Sequence, residues 1–138
     1  MAQKILFVCK YNRFRSQIAG QFFKKYNQNK NFSASSAGIF RGRYPLNKIQ
    51  VDEGRKFGIK IGKRPEGISS DLLARVDLVI LVADDIPKKI FTHDKKYLQE
   101  VRIWKIRDEF HSDPNKIEHI IGNIEKKIKK LIRELESK

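Results

Sequence analysis

Cysteine occurs once, at Cys9, so no disulfide can form within the chain, and a reducing cytoplasm is its simplest home. The three histidines, His93, His111 and His119, are dispersed and with a single cysteine give no metal-binding pattern. Neither a metal nor a cofactor is expected. Long apolar runs are also missing. Ile5 to Val8 is too short for a secretory core, no segment is long enough to span a bilayer, and no membrane is expected among the partners. Four prolines and eight glycines are scattered, with no repeat or low-complexity tract. Acidic residues are scarce, 16 against 30 Lys and Arg, for a net charge of +14.

Such a charge raises nucleic-acid binding as a function. The lysines are nevertheless spread along the chain, in pairs such as Lys24-Lys25, Lys88-Lys89 and Lys129-Lys130, rather than gathered into one arm. Aromatics do not interleave with them as in a nucleic-acid module. The charge therefore reads as solvated surface that attracts phosphorylated or acidic partners, with nucleic acid a disfavoured partner. At 138 residues and 40% hydrophobic composition, one domain over residues 1–138 can bury a sizeable core.

Hydrophobic patterning predicts four short strands alternating with helices. Strands are expected at Lys4 to Val8, at Phe32 to Ser36 on a sheet edge, at Asp77 to Ala83 and at Val101 to Ile106. Helices are expected from Ser16 to Tyr26, Leu46 to Phe57 and Pro87 to Phe91, with a short turn opened by Ser69, Ser70 or Asp71. The last helix, about Asn115 to Glu136, carries an isoleucine and leucine stripe from Ile117 to Leu135 at steps of three and four. The fold class is α/β: three layers, α/β/α, around a central four-stranded parallel sheet, with functional loops at the strands' C-terminal ends.

One such loop carries chemistry. Cys9-Lys10-Tyr11-Asn12-Arg13-Phe14-Arg15-Ser16 joins the first strand to the first helix. A thiol there faces backbone N–H groups and the positive end of a helix dipole, both of which bind anions and favour a thiolate. Arg15 can fold back and hold two phosphate oxygens in its planar fork. Asn12 tolerates a left-handed backbone, and the Ser16 hydroxyl can donate to the thiolate. A buried structural cysteine would be the default for a lone Cys on an apolar strand. The spacing to Arg15, Asn12 and Ser16 argues against it.

These residues resemble the low-molecular-weight protein tyrosine phosphatases and the related thioredoxin-linked arsenate reductases, whose loop reads Cys-x-Gly-Asn-x-Cys-Arg-Ser. The resemblance implies a low-molecular-weight phosphatase-like fold with Cys9 as nucleophile, Arg15 as the phosphate-binding arginine, and Lys10, Tyr11, Asn12, Arg13, Phe14 and Ser16 completing the binding loop. Ser36-Ala37-Gly38 matches the family's Ser-Ala-Gly, which makes Ser36 a brace for Asn12. Asp108-Glu109-Phe110-His111 stands where the family has Asp-Pro-Tyr-Tyr, and the resemblance puts the general acid at Asp108. Asp113 competes for that role, although it also suits a helix cap. The implied activity is hydrolysis of a phosphomonoester through a phosphocysteine. Expected substrates are a phosphotyrosine protein or a small aryl phosphate, and inorganic phosphate or other oxyanions should bind the loop.

Several positions depart from the pattern. Tyr11 replaces the loop glycine, Phe14 the second loop cysteine, and Arg13 an apolar residue. Phe40 or Tyr44 would have to supply the aromatic wall. Gln17-Ile18-Ala19 looks more like the arsenate reductases, but a chain with one cysteine cannot relay electrons internally. The alternatives are arsenate reduction with an external thiol, and a basic module that holds phosphate or nucleic acid without turnover.

Overall fold

The computed structural model describes residues 3–40, 48–61, 64–92, 100–107 and 113–137. Four parallel strands form one sheet: β1 (Gln3–Cys9), β2 (Phe32–Gly38), β3 (Leu78–Val82) and β4 (Glu100–Trp104), in the order β2-β1-β3-β4. The helices are α1 (Arg15–Tyr26), α2 (Lys48–Lys56), α3 (Ser70–Ala74), α4 (Lys89–Thr92) and α5 (Pro114–Glu136). The fold is the α/β architecture that the alternating pattern predicts.

Strand alternation divides the core in two. Ile5 and Phe7 of β1 and Leu78, Ile80 and Val82 of β3 pack with α1 and α5, while Ile49 and Phe57 flank that cluster. Leu6, Val8, Val79, Leu81 and Val101 face the other way, towards Leu72, Leu73 and Phe91. Central strands covered on both faces must be apolar at every position, as Leu78–Val82 is. The α5 stripe is buried throughout, from Ile117 to Leu135. Its packing against the domain's own sheet and α1 accounts for the periodicity. Among the described residues no helix is long and apolar enough to cross a membrane.

Element ends differ from expectation for local reasons. Of the three candidate caps for α3, Ser69 is the one used: its side chain accepts from the Leu72 N–H. The strand expected to reach Ile106 stops at Trp104. There the Ile106 N–H turns back to the Trp104 carbonyl at 2.7 Å, which ends the regular strand, although the Ile106 carbonyl still accepts from the Asp84 N–H at 3.1 Å. The helix expected at Pro87 begins at Lys89, and α2 begins at Lys48. Leu46 and Asn47, assigned to that helix from sequence, lie outside the described residues.

The sheet order places β1 between β2, reached through α1, and β3, reached by crossing back over the sheet. Neighbouring connections diverge from the C-terminal end of β1. Such a divergence leaves a crevice at the strand ends, where open α/β sheets bind ligands. Cys9 is the last residue of β1.

Candidate active site

Cys9 pairs in register with Gly38 at the end of β2, and the two strands go on touching past their last residues. Ile39 N–H donates to the Cys9 carbonyl at 3.1 Å, and Phe40 N–H to that of Lys10 at 2.9 Å. Gly38 is needed for this approach. A Cβ there would stand 2.6 Å from the Asn12 nitrogen, the Tyr11 carbonyl carbon and the Phe40 oxygen, all backbone atoms. The absence of one side chain lets the Cys9–Ser16 loop lie against the end of β2.

Asn12 closes the loop from inside. It is fully buried and is the non-glycine residue with positive φ, 54°, among the described residues. Asparagine tolerates that left-handed conformation, so the demand falls on Asn12 and Tyr11 is spared it. Its Nδ2 donates to Ser16 Oγ at 2.7 Å and to Ser36 Oγ at 3.0 Å. Its Oδ1 accepts from the Glu66 N–H at 3.0 Å, and its carbonyl accepts from Gln17 Nε2 at 2.6 Å. A buried amide with every group partnered fixes the loop in one arrangement.

Cys9 Sγ lies 3.0 Å from Ser16 Oγ. Ser16 already accepts from Asn12, so its single hydroxyl hydrogen is left for the sulfur. A thiolate can only accept, and Ser16 then becomes its donor. Helix α1 starts immediately after the loop. No side chain caps it at Phe14, and its first turn holds no acidic residue. Its positive end therefore meets the loop with no carboxylate from its own first turn.

Arg15 is buried, with 2% of its surface exposed, at the first position of α1. Its Nη1 donates to the Ile106 carbonyl at 2.9 Å and lies 3.4 Å from Asp85 Oδ1. Asp85 was not legible from sequence as part of the site. The only signal was its place just beyond the most apolar strand, where Asp84-Asp85 ends the run.

The other loop residues sort by burial. Phe14 is in the core, so only its backbone faces the loop's interior. Tyr11 and Phe40 are exposed with ring centroids 6.1 Å apart, and Lys10 Nζ stands 5.5 Å from the centre of the Tyr11 ring. Arg13 is half-buried. Cys9, Asn12, Ser16 and Ser36 thus form one connected set of side chains. Asp108 lies outside the described residues, as do Tyr44, Phe110 and His111. The rival acid Asp113 caps α5, its Oδ1 accepting from the Asn115 N–H at 3.0 Å.

The profile of the family described as low molecular weight phosphotyrosine protein phosphatase matches residues 4–138. The chain belongs to this family. Family and fold alike are those of a cysteine-based phosphatase. No curated protein matches the chain by sequence. Among solved structures, a low molecular weight protein tyrosine phosphatase from T. tengcongensis superposes with a TM-score of 0.82 at 23% identity, covering 96% of this chain and 99% of that one. The YwlE arginine phosphatase from Geobacillus stearothermophilus superposes at 0.80 with 19% identity, covering 98% and 94%. An arsenate reductase from Archaeoglobus fulgidus DSM 4304 superposes at 0.72 with 22% identity, covering 93% and 98%. At such identities the three likenesses speak to the fold, and one fold carries all three activities named.

Proposed function

We propose that this phosphatase hydrolyses aryl phosphomonoesters, phosphotyrosine foremost, through a phosphocysteine on Cys9. The observation that carries the reading is the 3.0 Å contact of Cys9 Sγ with Ser16 Oγ inside a loop braced by Asn12. The thiolate attacks phosphorus while backbone N–H groups of the loop from Lys10 to Ser16, and the guanidinium of Arg15, hold the equatorial oxygens. The bond from phosphorus to the leaving oxygen breaks, and that oxygen takes a proton from Asp108. Asp108, now a carboxylate, takes a proton from water. The water oxygen attacks phosphorus, the S–P bond breaks, and inorganic phosphate and the thiolate are released.

Asp108 is preferred as the acid because the carboxylate of Asp113 is engaged at the start of α5. The exposed rings of Tyr11 and Phe40 support an aromatic leaving group. With one cysteine, reduction of arsenate would need an external thiol.

Turnover of an aryl phosphate, phosphoarginine, and arsenate with a small thiol, compared in one set of preparations, tests the reading. Aryl phosphate should be hydrolysed by the wild type, not by Cys9→Ser, and on the order of 10²–10⁴ times more slowly by Asp108→Asn. Faster turnover of phosphoarginine, or thiol-dependent arsenate reduction without hydrolysis, would replace the substrate assignment. An unchanged rate in Asp108→Asn with a loss in Asp113→Asn would move the acid to Asp113.

A further inference from the structure

A groove of about 450 Å³ lies between the segment after β4 and the first turns of α5. Lys105, Arg107 and Lys116 line it together with Asn115, His119 and Asn123, and its described lining contains no carboxylate. The three cations are exposed, and among the described residues none of them makes an ion pair. Among the described residues ion pairs are few elsewhere too: Arg15 pairs with Asp85, Arg102 with Glu100 and Glu134, Lys56 with Glu53, and Arg55 with Asp52. These three cations stand apart because they share one concave lining with no carboxylate among the described residues.

That place adjoins the phosphate loop. Ile106 lines the groove, and its carbonyl accepts the hydrogen bond from Arg15 Nη1 at 2.9 Å. The groove thus touches the residue that anchors Arg15. A substrate whose phosphorylated side chain entered the loop would extend its flanking residues over the neighbouring surface at roughly 3.3 Å per extended residue.

We propose that this groove is a docking site for an acidic stretch, rich in Asp and Glu, that flanks the phosphorylated residue of a protein substrate. The inference rests on the phosphatase reading above and adds a determinant of substrate choice. Lysine and arginine would meet the carboxylates, while Asn115, His119 and Asn123 offer hydrogen bonds within the same walls. A nucleic-acid backbone fits less well. Further along α5 the exposed cations Lys126, Lys130 and Arg133 are interrupted by Glu125 and Glu134, and the adjoining trough on the helix carries Glu118.

The test compares two synthetic phosphotyrosine peptides that differ only in three flanking residues, Glu in one and Gln in the other. The flank is placed before the phosphotyrosine in one pair and after it in a second. p-Nitrophenyl phosphate serves as the control. Wild type should prefer the acidic peptide of one pair by roughly 5- to 10-fold in kcat/KM at low salt, and the preference should shrink as salt is added. In the double variant Lys105→Glu/Lys116→Glu, and more mildly in Lys105→Gln/Lys116→Gln, the preference should vanish with p-nitrophenyl phosphate kinetics unchanged.

Fluorescence anisotropy of the acidic peptide carrying unphosphorylated tyrosine reads the same groove without turnover, which keeps a failure of the phosphatase reading separate. Equal binding by wild type and both double variants would overturn the proposal. So would a loss confined to a labelled RNA duplex, with acidic-peptide binding intact.

Discussion

Asn12 and Ser36 lie 24 residues apart in the chain, yet Nδ2 of one sits 3.0 Å from Oγ of the other. The bond joins the phosphate loop to β2. Through the second hydrogen on Nδ2 it sets the direction of the Ser16 hydroxyl, and so what Cys9 Sγ meets. Asn12→Ala would strand the Glu66 N–H in a part-buried position and take their donor from two buried hydroxyls. Each such loss costs about 1–3 kcal/mol. We expect a destabilisation in that range or above, seen in denaturant midpoints, together with a fall in kcat. Ser36→Ala takes the acceptor from one hydrogen of the buried Asn12 amide, a single loss of about 1–3 kcal/mol and so smaller than that of Asn12→Ala. Asn12→Asp separates packing from chemistry. Both hydroxyls can turn to donate to its carboxylate, which preserves the fold, but Ser16 then no longer donates to the sulfur. Stability near wild type with reduced kcat is the expected pattern, and equal loss of both would contradict this chain of donors.

Gly38→Ala tests the close approach that the loop requires. The added Cβ would meet three backbone atoms at 2.6 Å, and backbone cannot swing aside as a side chain can. Overpacking of this kind costs typically about 1–3 kcal/mol. Thermal unfolding should register that loss. Aryl phosphatase activity should fall more steeply than stability, because the atoms displaced belong to Tyr11 and Asn12. Full activity in the Gly38→Ala variant would show that the loop tolerates movement.

Asp85 is a positioning residue for Arg15, and its charge and its hydrogen bond can be told apart. Among the described residues Arg15 Nη1 meets the Ile106 carbonyl and Asp85 Oδ1. Asp85→Ala removes the charged one of these anchors, and a loosened guanidinium should lower kcat/KM for an aryl phosphate by roughly 3- to 10-fold. Asp85→Asn keeps an acceptor oxygen and should stay within about 3-fold of wild type. If Asn behaves like Ala, the charge matters rather than the anchor. Inhibition by inorganic phosphate across the same variants provides a second readout, since weaker anchoring should raise its inhibition constant.

The buried stripe of α5 and the Cys9–Ser16 loop were legible in sequence for the same reason: their signals are local. A period of three and four from Ile117 to Leu135 needs no knowledge of what the helix packs against. A nucleophile, a left-handed asparagine, an arginine and a helix start also fall within eight residues. What escaped notice depends on contacts between distant segments. Asp85 meets Arg15 from 70 residues away, and nothing beside either residue announces the pair. The end of β4 was misplaced because Ile106 continues the apolar pattern while its N–H turns back to Trp104. Its burial, at 2% exposure, places its side chain in the core beyond the end of the regular strand. The closeness of Gly38 to Asn12 becomes visible only once β1 and β2 are paired.

Tyr26 couples the end of α1 to α5, and that coupling should depend on pH in a definite direction. Its hydroxyl donates to Glu125 Oε2 at 2.6 Å, its ring stacks on Phe22, and Lys129 Nζ lies 4.9 Å from its centre. The hydrogen bond to Glu125, then burial, then the negative charge of Glu125 raise the phenol above its ordinary value of 10.0. A group whose pKa is higher folded than unfolded adds stability below its unfolded value and loses it as pH rises through the folded one. The phenol is largely open to solvent, so the low end of the usual range applies, about 0.5–1 kcal/mol. Tyr26→Phe should therefore be less stable than wild type by that amount at neutral pH. The gap should hold up to about pH 10 and close above it. Paired urea titrations across this range supply the difference directly, and the many lysines that titrate nearby cancel between the two proteins. A gap that widened with pH would mean that the phenolate, drawn to Lys25 and Lys129, is the form the fold prefers.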